Sequence, residues 1–275
     1  MLKKIFKKII KKIQKKNQPI KINTAQPQMN NYHLITNDSL VKNLNLKIIT
    51  SHDENYNEVG GITTKTMSKY ADKFDLSFKF LKMPKTGRVH TWNKIISIKE
   101  EIQKKENDFI MWVDADAFFP NDAENILTVI EKEYEIYLSS HYCSVFKGSK
   151  YKNTILTTNR INCGVMIFKV SDFCSEFLEK VWAKEEYIDH FWYEQAAIMD
   201  LIGLKADITG NLYDNRGNDF YLGKIKFLSK EWNSIPSFSE ISTESIRPSI
   251  IHLAGVEYNE RIKFLNDYIK RGKIL

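Results

Sequence analysis

Asp114 and Asp116 stand two residues apart at the end of an unbroken apolar run, Phe109-Ile-Met-Trp-Val113. The run reads as a strand buried in a parallel sheet. Side chains alternate along a strand, so residues i and i+2 face the same way. The two carboxylates therefore converge on one spot at or just past the strand's C-terminal end, where open α/β sheets bind ligands. Two carboxylates beside apolar surface call for a cation between them. A divalent metal carrying phosphates suits that demand. Taken alone, the pair fits equally well a polar strand end with helix-capping aspartates.

The elements that must position this pair follow a strand–helix alternation, which argues for an α/β sandwich with a mostly parallel sheet. Leu46–Thr50 reads as the first strand and opens into Ser51-His-Asp-Glu-Asn-Tyr56. A helix over 62–73 and a strand over 76–80 follow. A loop over 82–91 carries Pro84, Gly87 and Arg88. A helix over 92–104 turns Ile95, Ile96, Ile98 and Ile102 partly inward. Past the central strand, Asn121 is placed to cap a helix reaching about 132. A strand over 135–139 comes next, then a polar stretch, 144–161, read as an insertion or a strand pair on the acceptor side. Residues 163–168 form a second buried strand. Ser171 caps a helix with Phe173, Phe177, Leu178 and Trp182 inward. A helix over 189–204 carries Trp192-Tyr-Glu-Gln195, and strands are expected over 221–228 and 250–253. A last amphipathic helix, 259–270, uses Ile262, Leu265 and Ile269. There is no internal repeat and no linker after residue 40.

Of the 275 residues, 43% are hydrophobic and 27% charged, a globular balance with room for one large domain. The net charge of +7 misleads, because residues 1–16 hold eight lysines and no acid; the rest carries 33 basic against 34 acidic residues. A near-neutral body without an arginine-rich stripe gives no reason to expect nucleic acid. In the first 16 residues Leu2, Ile5, Phe6, Ile9, Ile10 and Ile13 recur at threes and fours, with lysine on the other side. The stretch is too short and too charged to span a bilayer and lacks a signal peptide's apolar core. It reads as a helix lying on an anionic membrane surface, with a docked helix as the alternative. The expected division is this helix over 1–16, a linker and domain start over 17–40, and one domain over 41–275. Cys143, Cys163 and Cys174 show no metal or redox spacing, which favours a reducing compartment.

Seven short pieces in order resemble the galactosyl/mannosyl/xylosyltransferases of the GMA12/MNN10 type, and more distantly the glycogenin-like and lipopolysaccharide galactosyltransferases. They are Tyr70-Ala71, Trp92-Asn-Lys94, Trp112-Val-Asp-Ala-Asp-Ala117, Asn162-Cys-Gly-Val-Met-Ile-Phe168, Glu194-Gln195, Trp232-Asn-Ser234 and His252-Leu-Ala-Gly255. The resemblance covers roughly 46–256. It implies a GT-A fold, a single Rossmann-like nucleotide-binding α/β/α sandwich, and an enzyme moving a hexose from a nucleotide sugar to a saccharide hydroxyl with retention of configuration.

By the same resemblance, Asp114, Asp116 and His252 hold the metal, with Mn²⁺ expected over Mg²⁺ because oxygen and imidazole donors are mixed. Thr50 and Ser51 lie at the base and ribose. Lys94 meets the diphosphate or sugar, Asn162 and Gly164 the donor sugar, and Gly255 closes the His-x-x-Gly element among the donor contacts. Gln195 or Glu194 stabilises positive charge on the far face of the sugar. Two departures stand out: Glu194 replaces an Asp, and Val256-Glu-Tyr258 follows Gly255 where the glycogenin-like branch carries a lysine. Trp92 fits core as well as site, Phe118 and Phe119 fit sheet packing, and His52, His90, His141 and His190 receive no role.

UDP-galactose is the expected donor, with GDP-mannose as the alternative. A glycolipid or other saccharide acceptor on the cytoplasmic face of a membrane completes the expectation, with a role in surface glycans such as lipopolysaccharide. Three rival readings have specific difficulties. A D-x-D-x-T phosphatase needs Thr where Phe118 stands. A nucleotidyltransferase making nucleotide sugars needs a basic Gly-rich loop, and residues 50–61 contain no cation. A non-catalytic membrane scaffold would tolerate losing the metal residues, and none is lost.

Overall fold

The computed structural model describes residues 44–146, 155–204, 218–236 and 247–275. The chain divides into Met1–Asn37 and Asp38–Leu275, and the described residues belong to the second unit. The basic helix expected at 1–16 and the linker after it lie outside the described residues.

The strand leading to the aspartates and its neighbour are covered on both faces. β1 (Leu46–Thr50) and β3 (Phe109–Val113) are buried along their whole length and pair in parallel. β2 (Ser77–Phe80) flanks β1, also in parallel. Beyond β3 lie β6 (Ile155–Lys169), β5 (Ile136–Phe146) and β7 (Ile225–Leu228), giving the order β2-β1-β3-β6-β5-β7. Only β6 runs against its neighbours, on β3 and on β5. The sheet is thus largely parallel, and the β5–β6 hairpin realises the strand pair among the alternatives for 144–161; residues 147–154 lie outside the described ones.

Alternation along β3 sends side chains to two cores. Ile110 and Trp112 join Trp92, Ile95, Ile98, Ile102, Phe168 and Phe177 under α2 (His90–Gln103) and α3 (Asp172–Trp182). Phe109, Met111 and Val113 join Leu46, Ile48, Met67 and Tyr70 under α1 (Asn57–Lys73). This is the α/β/α sandwich of the GT-A fold. Ser171 caps α3 as expected, its Oγ accepting from the Cys174 N–H at 3.3 Å. Trp92 is fully buried and belongs to the core, and so do Phe118 and Phe119.

A second, two-stranded sheet pairs β4 (Ala117–Phe118) with β8 (Ile251–His252), antiparallel. A third core of Phe118, Ile251, Leu253 and Leu265 docks α6 (Tyr258–Lys270) onto it.

Several boundaries differ from expectation. No helix forms over 121–132; a 3₁₀ turn at Ile126–Val129 stands there instead. Tertiary bonds hold that segment out of a regular helix: the Tyr70 hydroxyl bridges Glu124 O and the Ile126 N–H, and Asn121 is held by Lys273 and Gly272 carbonyls. The helix expected over 189–204 shrinks to α4 (Tyr193–Leu201), because the His190 ring takes the Trp192 N–H and Tyr193 has φ 47°, outside the helical region. The first part of 221–228 turns as α5 (Asp219–Leu222) before β7 begins. α1 starts earlier than 62, running through Gly60 and Gly61. In α6 Leu265 is the buried anchor, while Ile269 is 37% exposed rather than inward.

Candidate functional site

Asp114 and Asp116 follow β3 directly, and backbone bonds fix both. The Asp114 N–H donates to Gly164 O at 2.7 Å, and the Leu253 N–H donates to Asp116 O at 3.0 Å. β8 then places His252 opposite Ala117 in register, beside the aspartates. The His252 N–H donates to Ser234 O at 2.7 Å, so the His252 backbone is anchored from two sides.

The three side chains meet. His252 Nε2 lies 3.2 Å from Asp116 Oδ1 and 3.9 Å from Asp114 Oδ2. One ligand atom from each residue falls within 4.8 Å of the others. The outer carboxylate oxygens are occupied elsewhere. Asp114 Oδ1 accepts from Lys94 Nζ at 2.7 Å and from the Trp112 indole at 2.6 Å. Asp116 Oδ2 faces Arg261 Nη1 at 3.3 Å.

The protonation of His252 follows from a chain that starts at a backbone donor. The Gly164 N–H, necessarily a donor, points at Asn162 Oδ1 at 2.9 Å. The Asn233 atom 2.9 Å from that oxygen is therefore its amide nitrogen, Nδ2. Asn233 Oδ1 then faces His252 Nδ1 at 2.9 Å and accepts its proton. His252 Nε2 is left as a lone pair aimed at two carboxylate oxygens. Three acceptors cannot face one another without a positive charge between them. Burial alone would lower the His252 pKa, but Asp116 and Asp114 outweigh burial and raise it, so the site favours a positive charge at this nitrogen. A divalent ion supplies that charge, and two carboxylate oxygens with an oriented imidazole nitrogen fit one well. Gly164 leaves the room for this: a Cβ there would lie 2.1 Å from His252 Cε1.

Behind the triad is a buried charge cluster. Lys94, 4% exposed, bridges Asp114 and Glu194, with Glu194 Oε1 at 3.1 Å. Burial works against the Lys94 ammonium, but the two carboxylates overcome it and raise its pKa. Asp114, which burial would raise, is held below the usual carboxylate range by Lys94, His252 and Trp112. Glu194 goes the other way, raised chiefly by burial, and its Oε2 has no partner. Gln195 Oε1 accepts from the Cys163 N–H at 3.3 Å. Cys163 is fully buried, and burial pushes its thiol pKa well up, which makes it inert.

A cleft of about 250 Å³ opens beside the aspartates, lined by Ser51, Asp53, Tyr56, His90, Lys94 and the 114–116 segment among others. Ser51 thus reaches the cleft, whereas Thr50 is fully buried behind it. Asn162 stands behind the triad as a link to Asn233. Gly255 has φ 71° and forms the turn between β8 and α6. Sequence reasoning assigned no role to Asn233, Arg261, Asp53, Tyr56 or the cleft histidines, His52 and His90. For Asn233 the signal was present in Trp232-Asn-Ser234; for Arg261 there was none beyond the polar side of an amphipathic helix.

The chain matches the galactosyl transferase GMA12/MNN10 family over residues 46–261. No curated protein sequence matches it. Among solved structures it is similar to a glycosyltransferase involved in the glycosylation of the major capsid of PBCV-1, with TM-score 0.59 and 15% identity over 81% of this chain and 99% of that one. It is also similar to the glycosyltransferase GlyE of Streptococcus pneumoniae TIGR4 (TM-score 0.49, 11% identity, 83% of this chain and 65% of that one). A third is the galactosyltransferase LgtC (TM-score 0.45, 14% identity, 83% of this chain and 100% of that one). The family match spans the sheet, the metal triad and the first turn of α6, and the chain belongs to the galactosyl transferase GMA12/MNN10 family of GT-A glycosyltransferases.

Proposed function

We propose that this enzyme moves a hexose, galactose, from its UDP conjugate to a saccharide hydroxyl with retention of the α configuration, using Mn²⁺. The observation that carries the reading is the meeting of Asp114, Asp116 and an oriented His252 beside an open cleft. Asp114, Asp116 and His252 would hold the ion, whose chemistry is to neutralise charge on the departing diphosphate as a Lewis acid.

The chain's own residues supply the rest. Lys94 keeps Asp114 ionised and in place. Gln195, tied to the Cys163 N–H, offers the group that faces positive charge developing on the sugar. An inverting enzyme needs a carboxylate free to take the acceptor's proton. Glu194 was the candidate, and it is buried and paired with Lys94 at 3.1 Å, so it is not free for that task. That supports retention by front-face attack, in which the departing phosphate oxygen takes the proton of the acceptor hydroxyl. Membership of the family sets aside the phosphatase, nucleotidyltransferase and scaffold readings.

The test is a screen of UDP- and GDP-sugars for transfer with Mn²⁺, Mg²⁺ or excess chelator, followed by NMR of the product's anomeric proton. Chelator-sensitive turnover of UDP-galactose to an α-linked product is expected. A β-linked product, a preference for GDP-mannose, or full activity in chelator would each overturn its part of the reading.

We also read residues 2–16 as an anchor to an anionic membrane surface on the cytoplasmic side, which puts the acceptor on a membrane-borne surface glycan. No described helix is long and apolar enough to cross a membrane. Vesicle sedimentation decides this: deleting 2–16 should abolish pelleting with anionic vesicles, and equal pelleting of both forms would refute it.

A further inference from the structure

One wall of the cleft comes from a loop with little backbone structure of its own. Met83 of that loop lines the cleft, beside His90, Thr91 and Lys94 from the first turns of α2. The Leu81 N–H still donates to Thr50 O at 2.8 Å, but among the described residues 82–88 make no backbone–backbone hydrogen bond. Gly87, at φ 81°, turns the chain towards α2, whose N-cap Val89 offers no side-chain acceptor. Such a segment stays in place only if side chains hold it.

Arg88 does so from the side away from the cleft. Its guanidinium carbon lies 3.8 Å from the centre of the Trp182 ring and 4.9 Å from that of Trp92. The two indoles stand edge to face, 6.0 Å apart. Arg88 Nη1 also donates to Trp182 O at 2.6 Å. Trp182 is the last residue of α3, where a helix leaves carbonyls without internal partners and favours a cation. The side chain is 11% exposed, and its ion pair with Glu185, at 3.9 Å to an 81% exposed partner, adds little. On the cleft side, His90 Nε2 lies 2.9 Å from Asp53 Oδ2 and its Nδ1 3.0 Å from the Met83 sulfur. The loop is thus tied to α3 through Arg88 and to the segment after β1 through His90.

We propose that Arg88 is a positioning residue for the donor: its clamp on Trp92 and Trp182 fixes residues 82–91 so that Met83 and His90 form a preorganised wall of the cleft. This rests on the nucleotide-sugar reading, in which that cleft takes the donor. A planar guanidinium can meet both indoles and the carbonyl at once, whereas an ammonium on a flexible stem cannot. A clamp that served stability alone would leave the affinity of the folded protein for nucleotide unchanged. A clamp that preorganises the wall acts on that affinity, because a ligand binding to a loosened loop must order it first.

Two measurements on the full-length protein test this. In calorimetric titrations with Mn²⁺ present, Arg88→Ala should bind UDP and GDP on the order of 10-fold more weakly than wild type, the loss expected if the ordered loop falls to about a tenth of the population. Mn²⁺ alone should bind as in wild type, since the bonds of Asp114, Asp116 and His252 go to other residues. In limited digestion with trypsin, cleavage after the exposed Lys82 and Lys85 should speed up on the order of 10-fold while cleavage elsewhere keeps its wild-type rate. Arg88→Lys should fall between the two proteins in both assays, and it carries the test if Arg88→Ala does not fold. Wild-type nucleotide affinity in a folded variant, or cleavage accelerated equally along the whole chain, would overturn the proposal. If the wild-type protein itself binds neither UDP nor GDP, the nucleotide-sugar reading falls and the role towards the donor falls with it, a result distinct from a wild-type protein that binds nucleotide and a variant that binds it equally well.

Discussion

Gly164→Ala is the smallest change that tests the metal site. Gly164 has no need of a left-handed backbone, since its φ is not among the positive ones. On conformational grounds alone, alanine would be tolerated there and would even stabilise the fold by about 0.4–1 kcal/mol through the unfolded chain. The obstacle is His252. The new Cβ would lie 2.1 Å from Cε1 and 2.5 Å from Nδ1. To reach ordinary contact at 3.4 Å the ring must retreat by roughly 1.3 Å. The His252 backbone cannot follow, because it is paired with Ala117 on one side and bonded to Ser234 on the other. The ring must rotate instead, giving up its bond to Asn233 and withdrawing Nε2 from the carboxylates. A misplacement of about 1 Å costs on the order of 10²-fold in rate. The expected outcome is a Mn²⁺ affinity at least tenfold weaker, transfer down about 100-fold, and a urea-unfolding midpoint lowered by the equivalent of about 1–3 kcal/mol for the overpacked site. Gly61→Ala is the matched control, since a Cβ there meets nothing within 4 Å. Wild-type Mn²⁺ affinity in Gly164→Ala, measured by calorimetry, would refute the placement of His252 as a ligand.

Two further outcomes follow from buried hydrogen bonds. Asn233→Ala removes the acceptor that holds the His252 Nδ1 proton, and loss of such a partner typically weakens metal binding about 10- to 100-fold; a Mn²⁺ titration unchanged from wild type would contradict the deduced tautomer. Glu101 is buried, which alone would raise its carboxyl pKa, but hydrogen bonds from Lys104, Lys79 and Lys47 outweigh burial and depress it. Its contribution to stability is therefore full above the unfolded-state value near pH 4.5 and is lost as pH falls through the lower folded-state value. Glu101→Gln should cost about 1.5–3 kcal/mol at neutral pH by removing the charge that Lys47, Lys79 and Lys104 share, with Lys47 keeping its bond to Glu106 at 2.9 Å, and should flatten the acid limb of a melting-temperature profile; an unaltered acid limb would disprove the assignment.

The strands that carry the site were legible because burial on both faces leaves an unmistakable pattern. Phe109–Val113 is an apolar run with abrupt polar ends, Leu46–Thr50 is apolar apart from Lys47 and Thr50, and the structure starts and stops β3 and β1 at those residues. The Ser171 cap was legible for a local reason too, since its hydroxyl bonds a backbone N–H three residues on. The misread segment, 121–132, has the cap residue and the acids of a helix start, but its outcome is decided at a distance. The Tyr70 hydroxyl and the carbonyls of residues 272 and 273 take the polar groups that a helix would have satisfied internally. Local propensity loses when tertiary partners are already in place.

The site shows the same division more sharply. The carboxylate pair could be read from its spacing, but for a different reason than strand alternation: β3 ends at Val113, and the two aspartates meet through the turn that follows, closed by the Ala117 N–H donating to Asp114 O at 2.9 Å. His252 could not be joined to it by spacing: β8 is a two-residue strand, and only its register with β4 sets the imidazole beside Asp116. Asn233 and Asn162 were visible as residues of a resemblance, yet their work is collective. One backbone N–H at Gly164 fixes one amide, that amide fixes the next, and the second fixes the proton on His252. Gly164 itself matters less for letting a ligand approach than for leaving space that His252 occupies. No linear pattern encodes a relay whose members come from β6, the segment before residue 236, and β8. The consequence is functional: the lone pair that can take a metal exists because the relay ends with an acceptor on Nδ1. Donor acidity and ligand count alone would not have distinguished this histidine from a satisfied core histidine, whereas the direction of that one hydrogen bond does.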